Sequence, residues 1–192
     1  MAAADHGGHH AVLCDAAGRL VERRGDPASV IAAIAAEVEA EAVYVTEDFG
    51  PYGRGRDATV EERLVDDGRT LERVGSPYAV APGTLLTKGR TPFKVFTPYS
   101  RAWREHGWDR PLQVPRSVRY LDGVASDPRP ATPDAEAADG LPEAGEEAAH
   151  RALDAFVERD VDGYADGRDR PDRDQTSRLS PYLKFGTLHP RQ

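Results

Sequence analysis

The stretch Asp26-Pro-Ala-Ser-Val-Ile-Ala-Ala-Ile-Ala-Ala-Glu-Val-Glu-Ala-Glu-Ala-Val-Tyr-Val-Thr46 carries a helix pattern followed directly by a strand pattern. Asp26 is a favourable N-cap, and Pro27 suits the first helical position. Ala42–Thr46 is rich in residues that favour a buried strand. A helix that leads into a buried strand predicts an α/β fold with a parallel sheet. The apolar residues of the helix recur at helical spacing: Val30, Ile31, Ile34, Ala35 and Val38.

The flanking residues continue this alternation. Leu20–Arg24 is a candidate for a short strand, residues 57–66 are charged and predicted to be helical, and Arg69–Val74 is a weaker strand candidate. Ligands of parallel sheets bind beyond the carboxyl ends of the strands, which points to the glycine-rich loop 47–57. Its glycine spacing matches neither a dinucleotide motif nor a phosphate loop, so a plain surface loop is the competing interpretation.

Composition restricts the classes of protein to consider. The chain has 192 residues and a net charge of −8, which argues against binding nucleic acid through overall charge. A single cysteine, Cys14, fits a reducing compartment. No apolar run is long enough to cross a membrane, and no secretory signal begins the chain. These features predict a cytoplasmic protein, monomeric if folded, without a membrane partner.

The composition also changes along the chain. Residues 1–10 are an irregular tail whose histidines lack the partners of a metal site, and residues 11–108 hold the α/β pattern. Residues 109–143 are a proline-rich linker. Residues 144–192 are predicted to be helical, because their apolar residues form one stripe: Ala149, Ala152, Leu153, Phe156 and Val157.

Residues 164–180 have the chemistry of a binding site. Tyr164 supplies a flat ring and a hydroxyl group, and Arg178 supplies a cation. A second helix is predicted from near Ser177 towards Phe185, with Gly186 at its end. Hydroxyl groups around a helix start favour an anion such as a phosphate; the alternative is a capped helix without a ligand. The hydroxyl groups belong to Thr176, Ser177 and Ser180. No catalytic triad and no metal site are recognisable.

Three longer motifs carry a family resemblance. The carboxyl-terminal one is Tyr164-x3-Arg168-Asp169-x-Pro171, followed by Thr176-Ser-Arg-Leu-Ser-Pro-Tyr-Leu183, Phe185-Gly186 and His189-Pro-Arg191. The second is Gly83-Thr-Leu-Leu86 with Thr91-Pro-Phe-Lys-Val-Phe-Thr-Pro-Tyr99, and the third is Thr46-Glu-Asp-Phe-Gly-Pro-Tyr-Gly-x-x-Arg56-Asp57. Together they resemble the DNA photolyase/cryptochrome family, in particular class I cyclobutane pyrimidine dimer photolyases, over residues 18–191 apart from the linker.

This resemblance implies a carbon–carbon lyase with three parts: an α/β antenna domain, a linker and an all-helical domain that binds FAD. Light-excited reduced flavin would split cyclobutane pyrimidine dimers in UV-damaged DNA. Arg168 matches a position that contacts DNA, and no residue of this chain matches a catalytic one. The positions that match flavin contacts are Tyr164, Thr176, Ser177, Arg178, Leu179 and Ser180.

The resemblance also concerns a second chromophore. Folate-binding relatives carry an Asn-Glu pair where this chain has Tyr52 and Gly53. The Pro-Tyr-Gly form favours 8-hydroxy-5-deazaflavin over methenyltetrahydrofolate as the antenna.

The chain departs from the family pattern at both ends. Residues 1–10 stand where the family opens with a strand and an Arg-Asp-Leu-Arg-type segment, and Gln192 precedes the helices that complete the flavin site. We therefore expect a truncated chain, inactive in repair by itself. The alternatives are a cryptochrome-like blue-light photoreceptor and a small-molecule-binding α/β domain with a relict tail.

Overall fold

The computed structural model describes residues 20–111, 117, 120–128 and 140–192. The predicted tail 1–10, with its histidines, and Cys14 lie outside these residues. The chain divides into two compact units. The first spans Val21–Arg129 and Pro190–Gln192, and the described part of the second is Leu20 with residues 140–189.

The first unit begins with helix α1, Pro27–Glu37, as predicted. The Asp26 carboxylate caps it, accepting hydrogen bonds from Ser29 N at 3.0 Å and from Ser29 Oγ at 2.8 Å. Both bonds favour the ionised carboxylate, so they lower the pKa of Asp26 below its ordinary value. The buried face consists of small residues that let the helix lie close to its neighbours: Ala28, Ala32 and Ala35.

A parallel two-stranded sheet follows, which confirms the α/β prediction. Strand β1, Ala42–Val45, pairs with strand β2, Thr70–Arg73, with Ala42 opposite Thr70 and Val45 opposite Arg73. Helix α2, Pro51–Asp66, connects the two strands. The core of this unit contains Ala28, Ala32, Ala35, Val60, Leu64 and Leu71.

The candidate strand Leu20–Arg24 was a wrong prediction, because this segment is extended but joins no sheet. Its backbone instead bonds to Ser126 and Asp127, and the Arg23 and Arg24 side chains donate to Ala125 O and Pro128 O. Glu22 N donates to Ser126 Oγ at 2.9 Å, and Asp127 N donates to Glu22 O at 2.7 Å. Arg24 N likewise donates to a side-chain atom, Asp127 Oδ2, at 2.8 Å. Because several of these bonds end on side-chain atoms, the two segments form no regular β-ladder.

Helix α2 begins earlier than the sequence indicated. The predicted loop 47–57 ends at Gly50, the N-cap, and Pro51 is the first helical residue. Proline is favoured at that position, because its missing N–H would have no partner within the helix. The helical prediction for residues 57–66 is confirmed, whereas the loop prediction is wrong beyond Gly50.

A further helix, α3, spans Phe96–His106 and was not predicted. It has no buried residue. Gly107 ends it with φ of 63° and ψ of −166°, a conformation that residues with a β-carbon rarely adopt. The described residues of the predicted linker contain no helix or strand.

The described part of the second unit contains helices but no strand: α4, Glu146–Arg159; α5, Tyr164–Gly167; and α6, Ser180–Phe185. The helix predicted from Gly145 is confirmed as α4, and Gly186 ends α6 with φ of 73°, as predicted. The core contains Ala148, Ala149, Leu179, Tyr182 and Leu188. No helix in the described ranges is long and apolar enough to cross a membrane.

Candidate functional site

The predicted site lies in the second unit, around the single turn of α5. The Tyr164 ring packs edge-on against Phe156 of α4, with centroids 5.7 Å apart and an interplanar angle of 88°. Tyr164 remains 39% exposed. The ring is therefore held in place by α4, while more than a third of the residue is accessible to a ligand.

The loop after α5 folds back onto it. Gln175 packs over Gly167, where an added β-carbon would come within 2.7 Å of Gln175 Cβ. Arg170 closes the loop with two hydrogen bonds to the Asp172 carboxylate, at 2.9 and 2.8 Å. The Arg170 guanidinium lowers the pKa of Asp172. The loop therefore places Gln175, directly before Thr176, against helix α5, which begins with Tyr164.

The predicted phosphate segment, residues 176–180, has an open and a buried side. Thr176, Arg178 and Ser180 are exposed, and Ser177 is half-buried. Leu179 is buried in the core, so its side chain anchors the segment. Within the described part of the chain, the three hydroxyl groups have no side-chain hydrogen-bond partner. They are free to bind a polar ligand.

The helix predicted from Ser177 begins only at Ser180, which corrects the expected site geometry. Arg178 has φ of 48°, which a right-handed helix cannot include. Helix α6 has only six residues, so its dipole offers an anion little. Any anion binding must therefore come from the hydroxyl groups and from the Arg178 guanidinium, not from the helix start.

The two arginines of the predicted site are on the surface. Arg178 Nε donates to Asp174 Oδ1 at 2.7 Å, and both side chains are more than two-thirds exposed. Arg168 follows α5, where its N–H bonds to Tyr164 O at 2.9 Å, and its side chain is 57% exposed. Arg168 Nε also lies 3.8 Å from Asp169 Oδ2. Exposed ion pairs such as Arg178–Asp174 and Arg168–Asp169 are weak, so either guanidinium can leave its carboxylate and bind a phosphate.

The structure places a second candidate region in the first unit, around the start of α2. An open cleft of about 380 Å³ lies there. Arg56 is held by Asp57, with 2.6 Å from Nη2 to Oδ1, and Asp57 is only 4% exposed. The cleft is lined by Asp26, Pro27, Ala28, Pro51, Tyr52, Gly55, Arg56 and Thr59.

The sequence prediction missed Asp48, which organises this region. Its carboxylate accepts a hydrogen bond from Gly50 N at 2.8 Å and lies against Gly53, where an added β-carbon would overlap it. The available signal was an aspartate two positions before a glycine, because an Asp side chain commonly bonds to the backbone N–H two residues on.

Comparison with known proteins gives the same family for most of the chain. Residues 10–116 match the sequence model of the DNA photolyase family. A deoxyribodipyrimidine photo-lyase from Streptomyces griseus is 39% identical over 174 residues, which is 89% of this chain and 38% of that protein. One from Halobacterium salinarum is 34% identical over 176 residues, covering 88% of this chain and 37% of that protein.

Solved structures agree. A bacterial class III photolyase from Agrobacterium tumefaciens matches with a TM-score of 0.86 and 29% identity, over 99% of this chain and 41% of that chain. A Synechocystis cryptochrome shares the fold, with a TM-score of 0.77 and 17% identity, over 98% of this chain and 41% of that chain. The chain spans about two-fifths of the length of these relatives. It belongs to the DNA photolyase family.

Proposed function

We propose that this chain forms part of a deoxyribodipyrimidine photo-lyase, which uses light and FAD to split cyclobutane pyrimidine dimers in UV-damaged DNA. The observation that carries the proposal is the 39% identity to the Streptomyces griseus photo-lyase over 89% of this chain. The open turn formed by residues 176–180, which directly follows Gln175 packed on α5, supports it, because its hydroxyl groups and cation are accessible.

The residues of the second unit fit the flavin chemically. FAD supplies the light-driven electron transfer, whereas the chain binds and orients it. Tyr164 offers a ring face, and Arg178 offers charge to a diphosphate. Leu179 holds the segment from the core, and Arg168 contacts the DNA backbone. Thr176, Ser177 and Ser180 donate hydrogen bonds to the cofactor.

For the antenna, we propose 8-hydroxy-5-deazaflavin rather than methenyltetrahydrofolate. The packing of Asp48 over Gly53 supports this choice. Gly53 stands where folate-binding relatives carry the Glu of their Asn-Glu pair, and a Glu here would collide with Asp48. The deazaflavin would bind in the cleft beside α2, where Tyr52 and Arg56 suit an aromatic, anionic ring system.

The proposed setting is a monomer in the cytoplasm. A single cysteine and a net charge of −8 support it, because disulfides are unavailable and self-repulsion keeps copies apart.

A reconstitution experiment tests the assignment. The chain is mixed with FAD, and bound flavin is measured by absorbance after gel filtration. We expect bound flavin, with Arg178→Ala and Ser177→Ala lowering the affinity by about tenfold each, the loss of one charged or polar contact. The matched control is Arg159→Ala, another exposed arginine of this unit. Equal losses in the control would contradict the assignment of the flavin segment.

Illumination of the flavin-loaded chain with a dimer-containing oligonucleotide separates the candidate functions. Loss of dimers that requires light supports the photo-lyase. Flavin binding with intact dimers agrees with the expected inactivity of this chain by itself and is also the result of the photoreceptor alternative, for which the fold shared with the Synechocystis cryptochrome is the supporting observation. Deazaflavin binding without flavin binding favours the small-molecule-binding domain.

A further inference from the structure

The charge of the first unit is unevenly distributed. The sequence from Arg73 to Arg104 contains no acidic residue, in a chain with 33 of them. The basic residues of this stretch and just after it are Arg73, Lys88, Arg90, Lys94, Arg101, Arg104 and Arg110. Residues 88–110, here called the basic aromatic segment, hold six of these cations, and all six are exposed. In the described part of the chain, none of the six forms an ion pair.

The same segment holds a row of aromatic rings, of which Phe96, Tyr99 and Trp108 are exposed and Phe93 and Trp103 are half-buried. Helical spacing of about 100° per residue places Phe96, Tyr99 and Trp103 within about 60° on one face of α3. Phe96 is 77% exposed. Arg104 lies beside this stripe, at about 80° from Phe96, whereas Arg101 lies towards the opposite side of the helix, at about 140° from Phe96.

The row extends beyond both ends of the helix. The Gly107 turn brings Trp108 back against Trp103, with centroids 4.5 Å apart and an interplanar angle of 41°. At the other end, Phe93 packs edge-on against Tyr99 at 6.0 Å. Two ring pairs, Phe93 with Tyr99 and Trp103 with Trp108, therefore lie in the same segment as the exposed Phe96 and the six cations.

We propose that the basic aromatic segment binds single-stranded nucleic acid, with bases stacked on the aromatic row and phosphates held by the cations. Single-strand-binding surfaces combine these two features, because each base has a ring face and each nucleotide carries a phosphate. The inference goes beyond the proposed function, since it requires neither flavin nor damage and concerns the first unit.

The composition of α3 favours bases over a lipid surface or a partner helix. The helix contains no Leu, Ile, Val or Met, so its apolar face consists of rings and Ala102. Helices that enter a lipid interface combine Trp and Phe with Leu on that face, and helices that bind a protein groove insert an amphipathic apolar face, whereas α3 offers rings without Leu. The six cations of the segment outnumber its two acidic residues, Glu105 and Asp109, and exposed charges act within about a Debye length, roughly 10 Å, so the local charge is positive although the chain's net charge is −8.

The test uses the chain itself, in the dark and without flavin. Its two tryptophans, Trp103 and Trp108, both lie in the segment, so their fluorescence reports binding directly. We expect an undamaged oligothymidylate of about 12 nucleotides to quench it at low salt, with an affinity that falls as salt rises. Absence of quenching would overturn the proposal and leave the photo-lyase assignment untouched.

Two variants and one control separate stacking from charge. Phe96→Ala weakens binding by about 5- to 150-fold, the loss of one stacked base. The slope of the logarithm of the binding constant against the logarithm of the salt concentration becomes shallower by about 2 in the triple variant Lys94→Gln, Arg101→Gln, Arg104→Gln. The matched control, Arg63→Gln, Arg151→Gln, Arg159→Gln, removes the same charge elsewhere and leaves binding and slope unchanged.

Competing partners give different results. Heparin binding as tight as that of the oligonucleotide, together with no effect of Phe96→Ala, would overturn the stacking role. A blue shift with phosphatidylserine vesicles, without quenching by the oligonucleotide, would assign the surface to lipid instead. Circular dichroism of each variant confirms that the fold is retained, since Phe96 and the three substituted cations are exposed.

Discussion

Two glycines of α2 lie two residues apart and have opposite surroundings. An added β-carbon at Gly53 would overlap the Asp48 carboxylate, whereas one at Gly55 would meet no atom within 4 Å. We expect Gly53→Ala to destabilise the protein by about 1–3 kcal/mol, because Asp48 must give up its bond to Gly50 N. Gly55→Ala should stabilise it by about 0.5–1 kcal/mol through helix propensity. Urea unfolding measures both, and equal effects would refute the Asp48 contact.

The cap of α1 gives a prediction about pH. The pKa of Asp26 is lowered in the folded protein by hydrogen bonds from Ser29 N and Ser29 Oγ. A lowered pKa stabilises the fold above the unfolded pKa, and this stabilisation is lost as pH falls through the folded value. Asp26→Asn should keep a cap but remove this loss, so the drop in melting temperature between pH 6 and pH 3 becomes smaller than in the parent chain.

At the scale of elements, Leu64 holds α2 against the first unit's sheet and α1. It is 0% exposed, and its neighbour Val65 is 60% exposed. We expect Leu64→Ala to cost about 2–5 kcal/mol, because it leaves a cavity among α1, α2 and β2. Val65→Ala should change stability by less than about 0.5 kcal/mol. A chemical-denaturation comparison of the pair checks the prediction, which fails if Val65→Ala is as costly.

Local rules were enough to predict some elements. Asp26 and Pro27 mark the start of α1, and the run Ala42–Val45, with two valines and a tyrosine that favour strands, marks β1, so both were predicted from the sequence. The start of α2 was missed because glycines usually indicate a loop. Here Asp48 packs over Gly53 and accepts a bond from Gly50 N, a local side-chain arrangement that holds the glycines in the first turn of α2. Propensity alone cannot report such contacts.

Other elements depend on single backbone angles. Arg178 adopts φ of 48°, which delays α6 and changes the predicted anion site into an open turn. No pattern marks an arginine for that conformation, which is uncommon outside glycine and asparagine. The residues of the site were recognisable as a motif, whereas their geometry required the fold.

At the scale of the whole molecule, the two hydrophobic clusters share no residue. Leu64→Ala should therefore speed amide hydrogen exchange across α1, α2 and the sheet, and leave the protected amides of α4 unchanged. Tyr182→Phe removes the bond from Tyr182 OH to Glu143 O at 2.9 Å. It should speed exchange in α4 and leave the protected amides of α1, α2 and the sheet unchanged. Exchange followed by mass spectrometry measures both, and a uniform response would show that the units unfold together.

The pairing of residues 22–24 with residues 125–127 also predicts the order in which parts of the first unit fold. Its bonds join positions 104 residues apart, whereas the strand pairs of the sheet lie 28 residues apart. Closing the longer loop costs about 1 kcal/mol more chain entropy, and few contacts offset that cost. In pulse-labelled refolding, the amides of α1, α2 and β1 should thus become protected first, and Asp127 N should follow. The bonds between residues 22–24 and residues 126–127 would then be the last of the first unit to form.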